Sequence, residues 1–341
     1  MMSASTADTA RIVAVVLAIG LCAGTLFAQR LAEPLADPLV AQSTPLPAPQ
    51  LSPPSGASAL PPEPERLPEV EWLQKINLGA LVAAPLMLLA LYAFGILRPG
   101  ALGGGQAGGE KAHPWFLWLF AALVVYVTSA FGAALALAAP SWWEKAVMGD
   151  LRRAGLLALG QYTAGILAAW CMLRLASGKG GALAPKDAGL GLVAFLLGYP
   201  IVAASSVAAT WAASKVTGST PDPLAHQTLS LIVKNLDDPW TWAVIAGAVV
   251  GAPILEEVIY RGFVQRAVAG LIGKGWWSVL ITSTIFAAMH WSAVPPHALV
   301  PLWVLGVALG VAAERTGRLG PAIVMHAAFN ALNVALAIAT H

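Results

Sequence analysis

From residue 76 onward the chain alternates between apolar runs of about 20 residues and short breaks rich in glycine or polar residues. A run of that length crosses a hydrocarbon core as a helix. Eight such runs are read, at 76–97, 115–139, 154–176, 188–213, 240–259, 276–291, 298–313 and 321–339, with Trp115, Trp240 and Trp276 at interface positions. Gly100 to Gly109, Ser177 to Lys186 and Thr217 to Pro239 are read as surface connections between them. An earlier apolar run, 12–28, follows Arg11. Its length exceeds a usual signal-peptide core, and Leu26-Phe27-Ala28 is a poor cleavage site, which favours an uncleaved anchor over a secretory signal. The pattern therefore predicts an all-α fold: a polytopic membrane helix bundle of about eight core transmembrane helices plus one N-terminal anchor or signal helix.

Composition changes this picture in one place. Residues 34–68 hold eleven of the chain's 25 prolines, mixed with Ala, Ser, Leu and Glu, so this stretch is an extended linker that packs no core. The chain divides into an anchor or signal segment (1–33), a Pro-rich linker (34–71) and a membrane domain (72–341). Overall 58% of residues are hydrophobic and 11% charged, against about 25% charged in a soluble domain. A net charge of +2 on scattered Lys and Arg gives no nucleic-acid surface. Cys22 and Cys171, both inside apolar runs without CxxC spacing, read as small core hydrophobes.

Charge orients the bundle. The connections after the first, third, fifth and seventh runs carry ten Lys and Arg, counting Arg174 at the end of the third run, against five in the others. The positive-inside rule puts the former in the cytoplasm and the Pro-rich linker outside.

The fifth run ends in Glu256-Glu257-Val258-Ile259-Tyr260-Arg261. A charge at mid-helix in a bilayer costs roughly 2.5 to 3.5 kcal/mol on insertion scales, so three together mark a site unless the helix simply ends there at the headgroups. On a helix Glu257 and Arg261 are four apart and pair, while Glu256 points about 100° aside and has no such partner. Gly247-x-x-x-Gly251 permits close approach of a neighbouring helix, and Pro253 frees the Val249 carbonyl and bends the helix. The sixth run contains Phe286-x-x-x-His290, and the eighth His326-x-x-x-Asn330 with Asn333 one turn on. His113, His226, His297 and His341 read as solvated or interfacial. Glu256 and His290 each lie 17 residues from Gly273 in the Gly273-Lys274-Gly275 turn. An antiparallel hairpin sets both about 26 Å from that turn, level with each other.

The ordered set Glu256, Glu257, Arg261, Phe286, His290, His326 and Asn330 resembles the type II CAAX prenyl protease and bacteriocin-processing (CPBP, or Abi) family of intramembrane proteases. The resemblance spans 240–333 and leaves the anchor, the linker and the first three core helices without a matching motif. It implies an integral protein of a bacterial cytoplasmic membrane that cleaves a membrane-associated peptide or protein, prenylated or not, with lipid and that substrate as partners. In this reading Glu256 is the general base, His290 helps hold the water, and His326 and Asn330 polarise the scissile carbonyl. Glu257, Arg261 and Phe286 support the site.

Two alternatives stay open. Glu256, His290 and His326 also form a His₂Glu ligand set for zinc or another divalent metal. From a different class, the chain is a non-catalytic scaffold, an immunity protein or a transporter. HExxH, GxSxG, GxGD and phosphate-loop sequences are missing, and no second copy of the Glu256 region is found.

Overall fold

The computed structural model describes residues 71–102, 113–138, 150–177, 184–219, 227–272 and 275–340. The anchor and nearly all of the linker lie outside the described residues, as do His226 and His341. The helices are α1 (Glu71–Ala93), α2 (Trp115–Ala138), α3 (Asp150–Ser177), α4 (Pro185–Thr217), α5 (Gln227–Val233), α6 (Trp240–Ile272), α7 (Trp276–Ala288), α8 (Leu299–Thr316) and α9 (Gly320–Ala339). Among the described residues there is no strand, so the fold is an all-α polytopic membrane bundle.

Seven of these helices are long and apolar enough to cross a membrane, and the expected sixth run is the exception. α7 has 13 residues, about 20 Å of helix. It stops at Ala288 because the chain turns through 289–293: the His290 N–H donates to the Ala287 carbonyl (3.0 Å) and that of Trp291 to Ala288 (3.1 Å). His290 therefore sits just beyond the helix rather than within it. The connection 217–239 also differs from a plain surface loop, since α5 lies in it and fully buries Ile232.

α6 is the central rod, and it is not a regular α-helix. Two π-helical stretches, Gly247–Gly251 and Val258–Val264, flank the α-helical turn Ala252–Glu257. The N–H of Ala252 reaches back five residues to Gly247, and that of Gln265 to Tyr260. Tyr162 of α3 lays its ring over Gly247 and Gly251, so the small-residue pair admits an aromatic ring. The main core joins α2 (Trp118, Val125), α3 (Ala169, Leu173) and α6 (Leu255, Val258, Phe263, Val264). A second core packs α8 and α9 against Val202 of α4. α1 rests mainly on α4.

The outward surface is apolar. Cys171 is exposed on α3, which corrects the expectation of a core position. A thiol that faces lipid and one that faces protein look alike in an apolar run, because both surroundings are hydrocarbon.

Four connections meet at one end of the bundle. Trp276 Nε1 donates to the Arg98 carbonyl (3.3 Å) and Arg315 Nη1 to that of Ala101 (3.2 Å). His113 Nε2 donates to the Ala176 carbonyl (2.9 Å), and Arg318 Nε meets Asp187 Oδ1 at 2.6 Å. These are the connections in which Lys and Arg are concentrated, and by the positive-inside rule this end is expected to face the cytoplasm. Single cysteines introduced at Gly275 and Arg315 should be labelled by an impermeant thiol reagent only when the cytoplasmic face is open, and one at His297 only from the other face. Labelling of Arg315→Cys and His297→Cys from the same side overturns this arrangement.

Candidate active site

Glu257 and Arg261 are both fully buried. Arg261 Nη1 donates to Glu257 Oε1 at 2.8 Å, the pairing that i,i+4 spacing predicts, and Nη2 donates to the Gly306 carbonyl of α8 at 3.0 Å. A side chain at Gly306 would press on Ser283 and Phe286 of α7, so its hydrogen lets α7 seat closely against α8 at the carbonyl that Arg261 uses. The same Glu257 oxygen accepts from His326 Nδ1 at 2.8 Å. Glu257 thus ties α9 to α6, and Arg261 ties α6 to α8.

Because a carboxylate only accepts, His326 carries a proton on Nδ1 and turns Nε2 toward Glu256. The separation from Nε2 to Glu256 Oε2 is 4.0 Å, too long for a direct hydrogen bond. Glu256 differs from its neighbour in exposure, its side chain being 24% exposed against 0% for Glu257, although each keeps its Oε2 without a partner. Glu256 Oε2 is buried as an atom and has no hydrogen-bond partner. An acceptor held in that state takes up a water or a substrate group at a gain, since leaving it unmade costs about 1–3 kcal/mol.

Phe286 is fully buried and fixes the rest by its ring. Its centroid lies 4.8 Å from that of His290, 6.0 Å from His326 and 5.2 Å from Tyr260, the last two edge-on. The Arg261 guanidinium carbon is 4.7 Å from it, a cation–π contact on the ring's negative face. His290 Nδ1 donates to the Phe286 carbonyl at 2.9 Å. That carbonyl is one of those left over at the end of α7, so the turn that ends the helix also orients the imidazole. Nε2 of His290 keeps its lone pair.

Asn330 donates Nδ2 to the Ala248 carbonyl at 2.8 Å. The sequence pointed to the Val249 carbonyl as the group released by Pro253. The π-helical register moves the effect one residue back: with bonds spanning five residues, the donor for Ala248 is position 253, where proline has no N–H. One amide hydrogen of Asn330 is used here and one remains. Asn333 makes no recorded contact with these groups.

Sequence reasoning missed the Gly306 and Ala248 carbonyls, which act through backbone. Gly306-x-x-x-Gly310 was legible as a close-approach signal and pointed to α8. Glu256 and His326 come together, and His290 joins them through Phe286. Among the described residues no three His, Cys, Asp or Glu side chains are gathered closely enough to hold a metal ion, so the His₂Glu set does not fit one as it stands.

Removing one member of a buried ion pair strands the other and costs about 3–5 kcal/mol. Glu257→Ala and Arg261→Ala should therefore each lower the melting temperature in detergent by many degrees. Melting within a degree or two of the parent protein shows that the pair does not carry the fold.

No curated protein and no solved structure matches the chain. The family comparison does: residues 238–332, which contain Glu256, Glu257, Arg261, Phe286, His290, Gly306, His326 and Asn330, match the model of the Rce1-like family, type II CAAX prenyl endopeptidase Rce1-like.

Proposed function

We propose that this chain is an intramembrane endopeptidase of the CAAX-protease type, in which Glu256 activates a water molecule against a peptide bond of a membrane-associated substrate. The observation that carries the reading is the contrast between the two glutamates. Glu257 is sealed, and its Oε1 accepts from both Arg261 and His326, whereas Glu256 is partly open and turns Oε2 toward His326 Nε2 at 4.0 Å.

The reaction runs on this chain's own groups. Glu256 accepts a proton from water, and the hydroxide oxygen bonds to the scissile carbonyl carbon. His290 Nε2, with Nδ1 on the Phe286 carbonyl, accepts the water's second hydrogen and aims its lone pair. As the carbonyl becomes an oxyanion, the second amide hydrogen of Asn330 donates to it, and a well-placed donor is worth roughly 3–4 kcal/mol in such a site. His326, held through Nδ1 on Glu257 Oε1, faces the reacting group with Nε2. Glu256 then returns its proton to the leaving nitrogen as the C–N bond breaks, which leaves an acid and an amine and restores the carboxylate.

The family match supports a substrate near a prenylated C-terminus. An apolar groove of about 360 Å³ between α7 and α8, beside the turn that carries His290 and lined by Thr284, Ala287, Trp291, Val300 and Trp303, suits a lipid-borne one.

Purified protein in detergent is given an internally quenched peptide with a farnesylated cysteine near its C-terminus, and the same peptide without lipid. Wild type should cleave the lipidated peptide, and Glu256→Gln, nearly isosteric, should lose at least about 10²-fold in kcat with a melting temperature equal to wild type or higher. Product formed equally by Glu256→Gln sinks the assignment of the base. A wild type that binds the peptide and makes no product returns the chain to the non-catalytic class.

A further inference from the structure

His326 must sit at one height along α9 for Nδ1 to reach Glu257 and Nε2 to face Glu256, and the residues that set that height lie well away from it. Above, Asn330 is tied to α6 through Ala248. Below, eight residues before His326 and about 12 Å along the helix, Arg318 makes a two-pronged bridge to Asp187 at the start of α4. Nε to Oδ1 is 2.6 Å and Nη2 to Oδ2 is 2.7 Å. Asp187 is 1% exposed. Its Oδ2 also accepts from the Ala184 N–H at 2.8 Å, which fixes the carboxylate to its own helix start before it meets Arg318.

The neighbouring chain is shaped around this contact. Gly320, the first residue of α9, faces the Asp187 carboxylate so closely that any side chain would collide with it. Gly191, one turn up α4, leaves room for the Pro321 carbonyl and Val324. The α8–α9 turn passes through Gly317 at φ +64°, so the linkage between the two helices is a tight reversal with little slack. A bidentate Arg–carboxylate pair fixes direction as well as distance, and here a buried carboxylate meets a guanidinium whose side chain is 31% exposed.

We infer that Asp187 and Arg318 are positioning residues for His326: the bridge clamps the start of α9 to α4 and so sets the register in which His326 reaches the glutamates. Asp187 lies outside residues 238–332. The catalytic segment then depends on a helix in which the family match does not run. The bridge acts on kcat, since a group displaced by about 1 Å loses about 10²-fold, while substrate contacts elsewhere are unchanged.

The inference rests on the proposed peptidase reading only for its kinetic readout, so two measurements are paired. The first is carbethoxylation of His326 by diethyl pyrocarbonate, read by mass spectrometry with His297 as an internal reference. His326 is buried and bonded in the parent protein. Its modification rate should rise at least about fivefold in Asp187→Asn and in Arg318→Gln, with no change at His297, and Arg318→Lys, which keeps the charge without the fork, should fall between. The double variant should be no more reactive than either single one, because both remove the same bridge. The second is cleavage of the farnesylated peptide, where kcat should drop about 10- to 100-fold with KM within about twofold. Unchanged His326 reactivity in Asp187→Asn overturns the clamp whether or not the protein cleaves peptide. Increased reactivity in a wild type that makes no product keeps the clamp and removes the peptidase reading. Arg318→Lys, altered at a partly exposed side chain, keeps the test available if Asp187→Asn fails to fold.

Discussion

A carboxylate sealed inside a bundle that sits in hydrocarbon has to be neutralised where it stands, and Glu257 is met by two donors at one oxygen. Coulomb attraction between Arg261 and Glu257 is strong in such surroundings, yet desolvating both ions costs several kcal/mol each. The arrangement holds because the pair is not alone. Arg261 gives a further bond to Gly306, lays its guanidinium over Phe286, and leaves His326 to share the acceptor. Three helices are fixed relative to one another through one acid. The same arrangement leaves Glu256 as the partly open carboxylate of the two, outside the Arg261–Glu257–His326 chain of bonds.

The helices that carry no recognisable motif have a definite part in this. α2 and α3 cover the side of α6 that bears Leu255, Val258 and Phe263, so that the alternate side of the rod can hold Glu257 and Arg261. Trp118 stacks near Phe263 at 6.2 Å, and Arg266 lies over the Trp118 ring at 5.0 Å. α4 covers α9 in the same way through Asp187, Gly191, Gly198 and Val202, its few buried residues. The lipid-facing remainder needs only to be apolar, which is why composition alone described it.

Much of the architecture was legible because hydrocarbon imposes length and apolarity on every span. The Glu257–Arg261 pair was legible because charges that close along a helix have nowhere else to go in such a medium. What remained hidden has physical causes. His290 was read as part of a helix, since the turn that ends α7 uses Met289, Trp291 and Ser292, none of which is a Gly or Pro stop signal. Cys171 was placed in the core because the sequence cannot tell protein from lipid as the neighbour of an apolar face. Asp187 was not singled out, because its partner is 131 residues away. Long-range pairing of that kind has no local signature.

The two adjacent glutamates differ because neighbours on an α-helix are separated by about 100°, so Glu257 turns into the bundle toward Arg261 and His326 while Glu256 turns to a partly open side. Each π turn adds a residue without adding a full step of rotation, so the turns on either side of Ala252–Glu257 allow that segment to be set independently of the two ends of α6. The irregularity carries a cost in backbone bonds. Pro253 has no N–H to offer the Ala248 carbonyl, and Asn330 supplies the donor from α9, one turn beyond His326. The distortion that presents Glu256 is therefore satisfied by the helix that brings His326, and straightening α6 would undo both the presentation of the acid and the tie that holds the imidazole beside it.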